Sequence, residues 1–445
     1  MELPPKYAEL LHGENAESWP VYAYLPNRAG YLSAADAERR LRTCPGLLVD
    51  DVVVTETRDY ARDSHWEFEV TVRVREEDEP WPLRVFIAPS EPLGDDHLDW
   101  EGFTEAERAE SLDARWRVGV AGVFGDRAAE DFHSVLKLLC ALSPSLVAVY
   151  DEASLRAHSG AWALDAAQSE VPPSFEMLFS VLTMRPESAD EGSLCWVHTH
   201  GLLRAGCIEL EALEVPERQA EVIADFVQQV GSQFLELGVP TPDEKFTVGE
   251  RLELVWLPWE TAIERLPAGH LGTQPDRDDT HFGPAGVLFV PAQGVKRRRY
   301  VGLSSCVPIL EKNPVYYVSD HEAERASRLA KEKLSTFVDL HRRFAGDEEW
   351  SFTVKLGFES STAGDDMPKH EHLWFEVHAL DGENVDATLL NEPFFVDDLH
   401  EGQRGHHPLT RLTDWTITSP HGAFSPERLY HLLRLVNQSE PASGR

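Results

Sequence analysis

The chain has 445 residues, 42% of them hydrophobic, with 12 Trp and 20 Phe. That is enough apolar material for two or three packed domains, and it excludes bulk disorder. A net charge of −36 repels phosphate backbones and anionic headgroups, so nucleic acid and bare membrane are excluded as partners and a protein or small molecule is expected.

The five cysteines (Cys44, Cys140, Cys195, Cys207 and Cys306) form no CxxC pair and read as small buried hydrophobes of a reducing compartment. The N-terminus has no basic, apolar leader, and no apolar run approaches the ~18 residues that span a bilayer. A cytoplasmic location follows as the expectation, whereas nothing in the sequence bears on the oligomeric state.

In chain order, residues 20–25 read as a strand and 33–42 as a helix capped by Ser33. Strands are expected at 47–57, 65–75 and 83–88. In the middle one Trp66, Phe68, Val70, Val72 and Val74 alternate with polar residues, the mark of an antiparallel sheet with one wet face. An acidic loop over 89–113 leads into a helix near Thr104. A strand at 117–124, a helix at 127–142 and strand-like segments at 146–150 and 175–184 follow. A helix over 216–237 should stop at Gly238, before a strand at 251–257.

Residues 267–285 hold three Pro and three Gly without apolar periodicity, and read as a linker. One helix is expected over 320–345, closed by Gly346. Beyond it come short strands at 350–358 and 373–379, an Asp381-Gly382 hairpin turn, and a terminal helix with Pro426 in its first turn. The fold class is therefore α+β. Mixed or antiparallel sheets with flanking helices fill 1–145 and 146–266, as two domains or one continuous one, 267–345 connects, and 346–445 is a small antiparallel β-rich domain.

The run from Phe352 to Thr418 carries FTVKLGF, Glu371-His372-Leu373-Trp374, Leu390-Asn391-Glu392-Pro393, Gly402 and Asp414-Trp415. Over about 350–430 it resembles the bacterial domain of unknown function 2314. Upstream, Trp196-Val197-His198-Thr199-His200-Gly201-Leu202 and Glu209-Leu210-Glu211 are similar to domain of unknown function 4026. The resemblance implies an architecture and a bacterial setting, and assigns no chemistry. In the C-terminal part His372, Trp374, Asn391, Asp414 and Trp415 are candidates for a ligand or peptide groove, with a packing role for Trp374, Asp414 and Trp415 as the alternative.

Chemistry concentrates at 194–213. If 194–200 and 207–213 pair as a hairpin, two registers are open: His200 with Cys207, or two residues further along, which sets His198 opposite Glu211. In either, His198, His200, Glu209 and Glu211 share one face, a donor set suited to a divalent metal unless a bulge breaks the parity. His–Glu pairs also occur on ordinary wet sheet faces. The Gly119–Gly125 run lacks dinucleotide-loop spacing, no phosphate loop occurs, and Lys296–Arg299, the one basic cluster, reads as a counter-charge.

Two functions compete. The first is a non-enzymatic binding or interaction protein with no cofactor. The second is a metal-dependent hydrolase with His198, His200 and Glu209 as ligands and Glu211 as general base or fourth ligand.

Overall fold

The computed structural model describes residues 3–439, apart from 14–17, 59–64, 92, 95–101, 187–191, 265–269, 278, 282, 293–299, 313–319 and 362–369. The basic cluster at Lys296–Arg299 lies outside the described residues. Two compact units emerge: Met1–Gln168 with Pro172–Tyr317, and Val318–Arg445 with Ser169–Val171. With three mostly antiparallel sheets and flanking helices, the class is α+β.

The first unit opens with helix α1 (Pro5–Leu11), followed by β1 (Trp19–Leu25), α2 (Ala34–Arg42), β2 (Leu48–Arg58), β3 (His65–Arg73) and β4 (Trp81–Pro89). Next come α3 (Glu105–Leu112), β5 (Trp116–Gly122), α4 (Ala128–Leu142), β6 (Ala148–Asp151), β7 (Arg156–Ser159) and α5 (Gly160–Gln168). The Ser33 hydroxyl accepts from Asp36 N, and Thr104 with Glu107 forms a capping box, so both helix starts follow from local side chains. The strands form one antiparallel sheet in the order β2-β3-β4-β5-β1-β6-β7. In β3, Trp66, Phe68, Val70 and Val72 are all buried, as the alternation requires. Because β6 pairs with β1, the first sheet runs past residue 145, where sequence suggested a boundary.

The second sheet uses β8 (Ser180–Met184), β9 (Leu194–His200), β10 (Glu209–Pro216), β11 (Phe246–Gly249), β12 (Leu252–Pro258), β13 (Ala285–Pro291) and β14 (Tyr300–Val301), with helices α6 (Ala220–Leu237), α7 (Trp259–Ile263) and α8 (Val307–Leu310). Its order is β11-β12-β13-β10-β9-β8, and only β10–β13 run parallel. One face carries Cys195, Val197, Leu210 and Ala212 against Ile223, Phe226, Val227 and Val230 of α6. The other face is covered by α7 and the described parts of 270–284.

That covering segment departs from the linker expectation, and its glycines show why. Gly272 has φ +83°, and a Cβ there would meet Leu213 at 2.5 Å and Trp196 at 3.0 Å. A Cβ at Gly283 would run into the Leu203 side chain. Close packing, not flexibility, selects these glycines. β13, which follows, lies between β12 and β10, yet its short continuous apolar run carries no alternation to announce it.

The second unit comprises α9 (Asp320–Glu332), α10 (Leu334–Phe344), β15 (Ser351–Glu359), β16 (His370–Leu380), β17 (Asn384–Leu389), β18 (Arg404–Pro408), β19 (Leu412–Ser419), β20 (Gly422–Phe424) and α11 (Leu429–Ser439). The expected single helix over 320–345 is two, broken at Lys333. The sheet is antiparallel in the order β18-β17-β16-β15-β19-β20. Asp381 accepts hydrogen bonds from Glu383 N and Asn384 N, and Gly382 takes φ +96°, giving the Asp-Gly turn its geometry. The core joins Phe337 and Leu340 of α10 to Val354, Leu373, Phe375 and Trp415, so the unit begins with its helices near residue 318 and not at 346.

Candidate metal centre

β9 and β10 pair in the second of the two registers, with His198 opposite Glu211, and a bulge falls between Ala212 and Val215. Strand parity then decides the partition. Cys195, Val197 and Leu210 enter the α6 core, while Trp196, His198, His200 and Glu211 turn to the covered face. The bulge lies beyond Glu211 and leaves that parity intact.

The third member comes from the covering segment. His281 closes a short 3-10 turn (Asp279–His281) and sets its ring 5.0 Å from His198 and 4.8 Å from His200; the first two rings lie 5.0 Å apart. One ligand nitrogen from each of the three falls within 4.8 Å of the others. Trp196 stacks on His198 at 4.0 Å, and the Thr280 hydroxyl meets His281 Nδ1 at 3.2 Å, contacts that fix ring orientation.

Electrostatics favour neutral imidazole here. Burial, reinforced by His200, His281 and Arg277, pulls the His198 pKa well below the usual histidine range, and His198 Nδ1 is buried with no hydrogen-bond partner. Deprotonated imidazole is the form that ligates a metal.

The two glutamates separate. Glu209 accepts from Thr199 Oγ1 at 2.6 Å, Gly201 N at 2.9 Å and Leu203 N at 3.3 Å, so its carboxylate holds the turn after β9 together. Glu211 is ion-paired with Arg277, whose guanidinium lies 4.0 Å from the Trp259 ring and donates to His281 O at 3.0 Å. Burial lifts the Glu211 pKa to about 7 against the opposing pull of Arg277. Arg277 and His281 escape sequence reasoning because a turn-rich segment offers no period from which to assign a facing side chain.

A buried ion pair elsewhere in this unit is equally invisible in sequence. Arg204, in the turn after β9, donates to both carboxylate oxygens of Asp151 in β6 at 2.6 and 2.8 Å, and both side chains are fully buried. The pair joins the first two sheets, with Ser154 Oγ supporting Asp151 at 2.7 Å.

The C-terminal candidates divide between surface and core. Trp374 and Asp414 stand in one cross-strand row on either side of Lys355, whose ammonium is 5.5 Å from the indole centroid. Asp414 accepts from Trp415 N at 2.8 Å, and burial raises its pKa. Trp415 faces the opposite way, fully buried, donating its indole N–H to Ala330 O at 3.0 Å, so it lines no groove. His372 meets the Thr413 hydroxyl at 3.0 Å, and Asn391 Oδ1 accepts from Trp374 N at 3.0 Å.

Fold and site together define an α+β protein with a three-histidine cluster, two buried and one half-buried, against the covered face of its second sheet. The N-terminal and C-terminal models described as protein of unknown function DUF4026 match residues 21–173 and 183–289, more than half of the chain, and the chain belongs to that family. The model described as an uncharacterized protein conserved in bacteria, DUF2314, matches residues 320–431. All three histidines fall within 183–289. No curated protein and no solved structure matches the chain. No helix among the described residues is long and apolar enough to cross a membrane.

Proposed function

We propose that the protein binds one zinc-class divalent ion on His198, His200 and His281. The observation that carries this reading is the convergence of three imidazoles, two on β9 and one on the covering segment, with ligand nitrogens within 4.8 Å of one another. Bonds of about 2.0–2.1 Å in a tetrahedral set put ligand nitrogens ~3.4 Å apart, so no side of the triangle has to close by more than roughly 1.5 Å on loading. An all-imidazole set suits zinc and its transition-metal neighbours, and is a poor match for magnesium or calcium. Glu209, bound to the turn, is replaced by His281 in the donor set.

Three histidine ligands leave a fourth position open. Glu211, opposite His198, favours a second reading in which a bound water is activated there for hydrolysis, once the carboxylate is released from Arg277.

The test uses full-length protein stripped with EDTA and titrated with Co²⁺ as a spectroscopic probe, then with Zn²⁺ in competition. One equivalent should bind with tetrahedral d–d absorption, and His281→Ala should weaken binding by at least ~100-fold. Binding unchanged in His281→Ala, or no stoichiometric binding, overturns the proposal. Hydrolysis of p-nitrophenyl acetate by the Zn²⁺-loaded protein, abolished in Glu211→Gln with Zn²⁺ still bound, would support the second reading.

A further inference from the structure

We propose that the loop between β17 and β18 is a docking surface for a basic protein partner, with Phe394 as its anchor. Phe394 is 85% exposed, and Leu390 beside it 44%. A flexible loop could fold such a ring against its own core; this one is fastened so that it does not.

Glu371 of β16 accepts from Phe394 N at 2.8 Å and Phe395 N at 2.7 Å, one carboxylate oxygen each. Leu390 N donates to Trp374 O at 2.8 Å, and Asn391 Oδ1 returns the bond from Trp374 N at 3.0 Å. Glu401 N binds the Glu392 carboxylate at 3.0 Å, and Gly402 N closes the loop on Leu389 O at 2.9 Å. Val396 and Leu399 pack onto the core on the far side of the loop. Phe394 is thus left outside by a backbone whose own amide is pinned, so little ordering remains to be lost on association. Glu371, Trp374 and Asn391 act as positioning residues for that display.

Charge selects the occupant. Between Leu390 and Gln403 there is no Lys or Arg, and Glu392, Asp397, Asp398 and Glu401 are exposed in the same loop as the ring. A buried aromatic anchor within a charged rim is the usual layout of a protein–protein hot spot. The complementary surface is an apolar pocket rimmed by Lys and Arg. A net charge of −36 opposes a second copy of this chain, and equally a nucleic acid or an anionic bilayer.

The test selects a phage-displayed peptide library on the full-length protein at low salt and measures the enriched peptides by fluorescence polarisation. Peptides combining Lys or Arg with an apolar residue should emerge. Phe394→Ala should weaken them by at least ~10-fold while leaving the melting temperature unchanged. Asp397→Asn with Asp398→Asn should weaken them by ~3-fold and flatten their salt dependence. The proposal is overturned if enriched peptides are indifferent to Phe394→Ala, if none is enriched, or if the wild type self-associates through Phe394 in sedimentation.

Discussion

In the second sheet His198, His200, Glu211 and Arg277 are almost wholly buried; in the C-terminal unit Phe394 is almost wholly exposed. The two regions reverse the ordinary partition of polar and apolar side chains, and each does so with compensation. Arg277 balances Glu211 and lies against Trp259. The exposed ring is held by hydrogen bonds on its backbone, where Glu371 takes two amides at once. The contrast teaches that side-chain polarity is a weak guide to location wherever a partner group offsets the cost.

The sharpest way to break the comparison is to remove a compensating partner from a buried position. Arg204→Ala leaves Asp151 charged and fully enclosed, and should cost about 3–5 kcal/mol of stability by urea denaturation. A loss below ~1 kcal/mol would mean that these buried charges need no partner. In the exposed region Glu371→Ala should cost ~1–3 kcal/mol and accelerate hydrogen exchange at the Phe394 and Phe395 amides; unchanged exchange would show that other contacts hold the loop.

The smallest effect is expected at Asp131, which accepts from Gly125 N at 2.7 Å while burial lifts its pKa to about 6. The folded chain then holds a proton that the unfolded chain releases near pH 4. Stability attributable to this group therefore falls as pH rises from about 4 to about 6, and stays low above that. Asp131→Asn should remove the slope and add ~1 kcal/mol or less at pH 7, given the partial exposure of the side chain. An unchanged pH profile would show that Asp131 ionises normally.

Much of the fold is legible from local rules. The alternation of Trp66, Phe68, Val70 and Val72, the Ser33 and Thr104 caps, and the Asp381-Gly382 turn each depend on neighbours a few residues away, and each holds. The pairing of His198 with Glu211 was one of two registers that parity allows. Trp374 and Trp415 illustrate the limit. Both belong to recognisable motifs, yet one is half-buried beside Lys355 and the other seals the core against Phe337.

By itself the sequence determined the α+β class, most of the strands and helices, the two-histidine face of β9 and the resemblance of both family segments, because periods of 2 and 3.6 and the caps are local properties. Only the tertiary structure decided that β13 enters the middle of the second sheet, that Arg204 meets Asp151, and that the glycine-rich segment before β13 is packed. It also decided that this segment carries His281 to the pair on β9. The Arg204–Asp151 and His200–His281 contacts join residues 53 and about 80 positions apart, and no local period encodes which side chains will meet across a closed sheet.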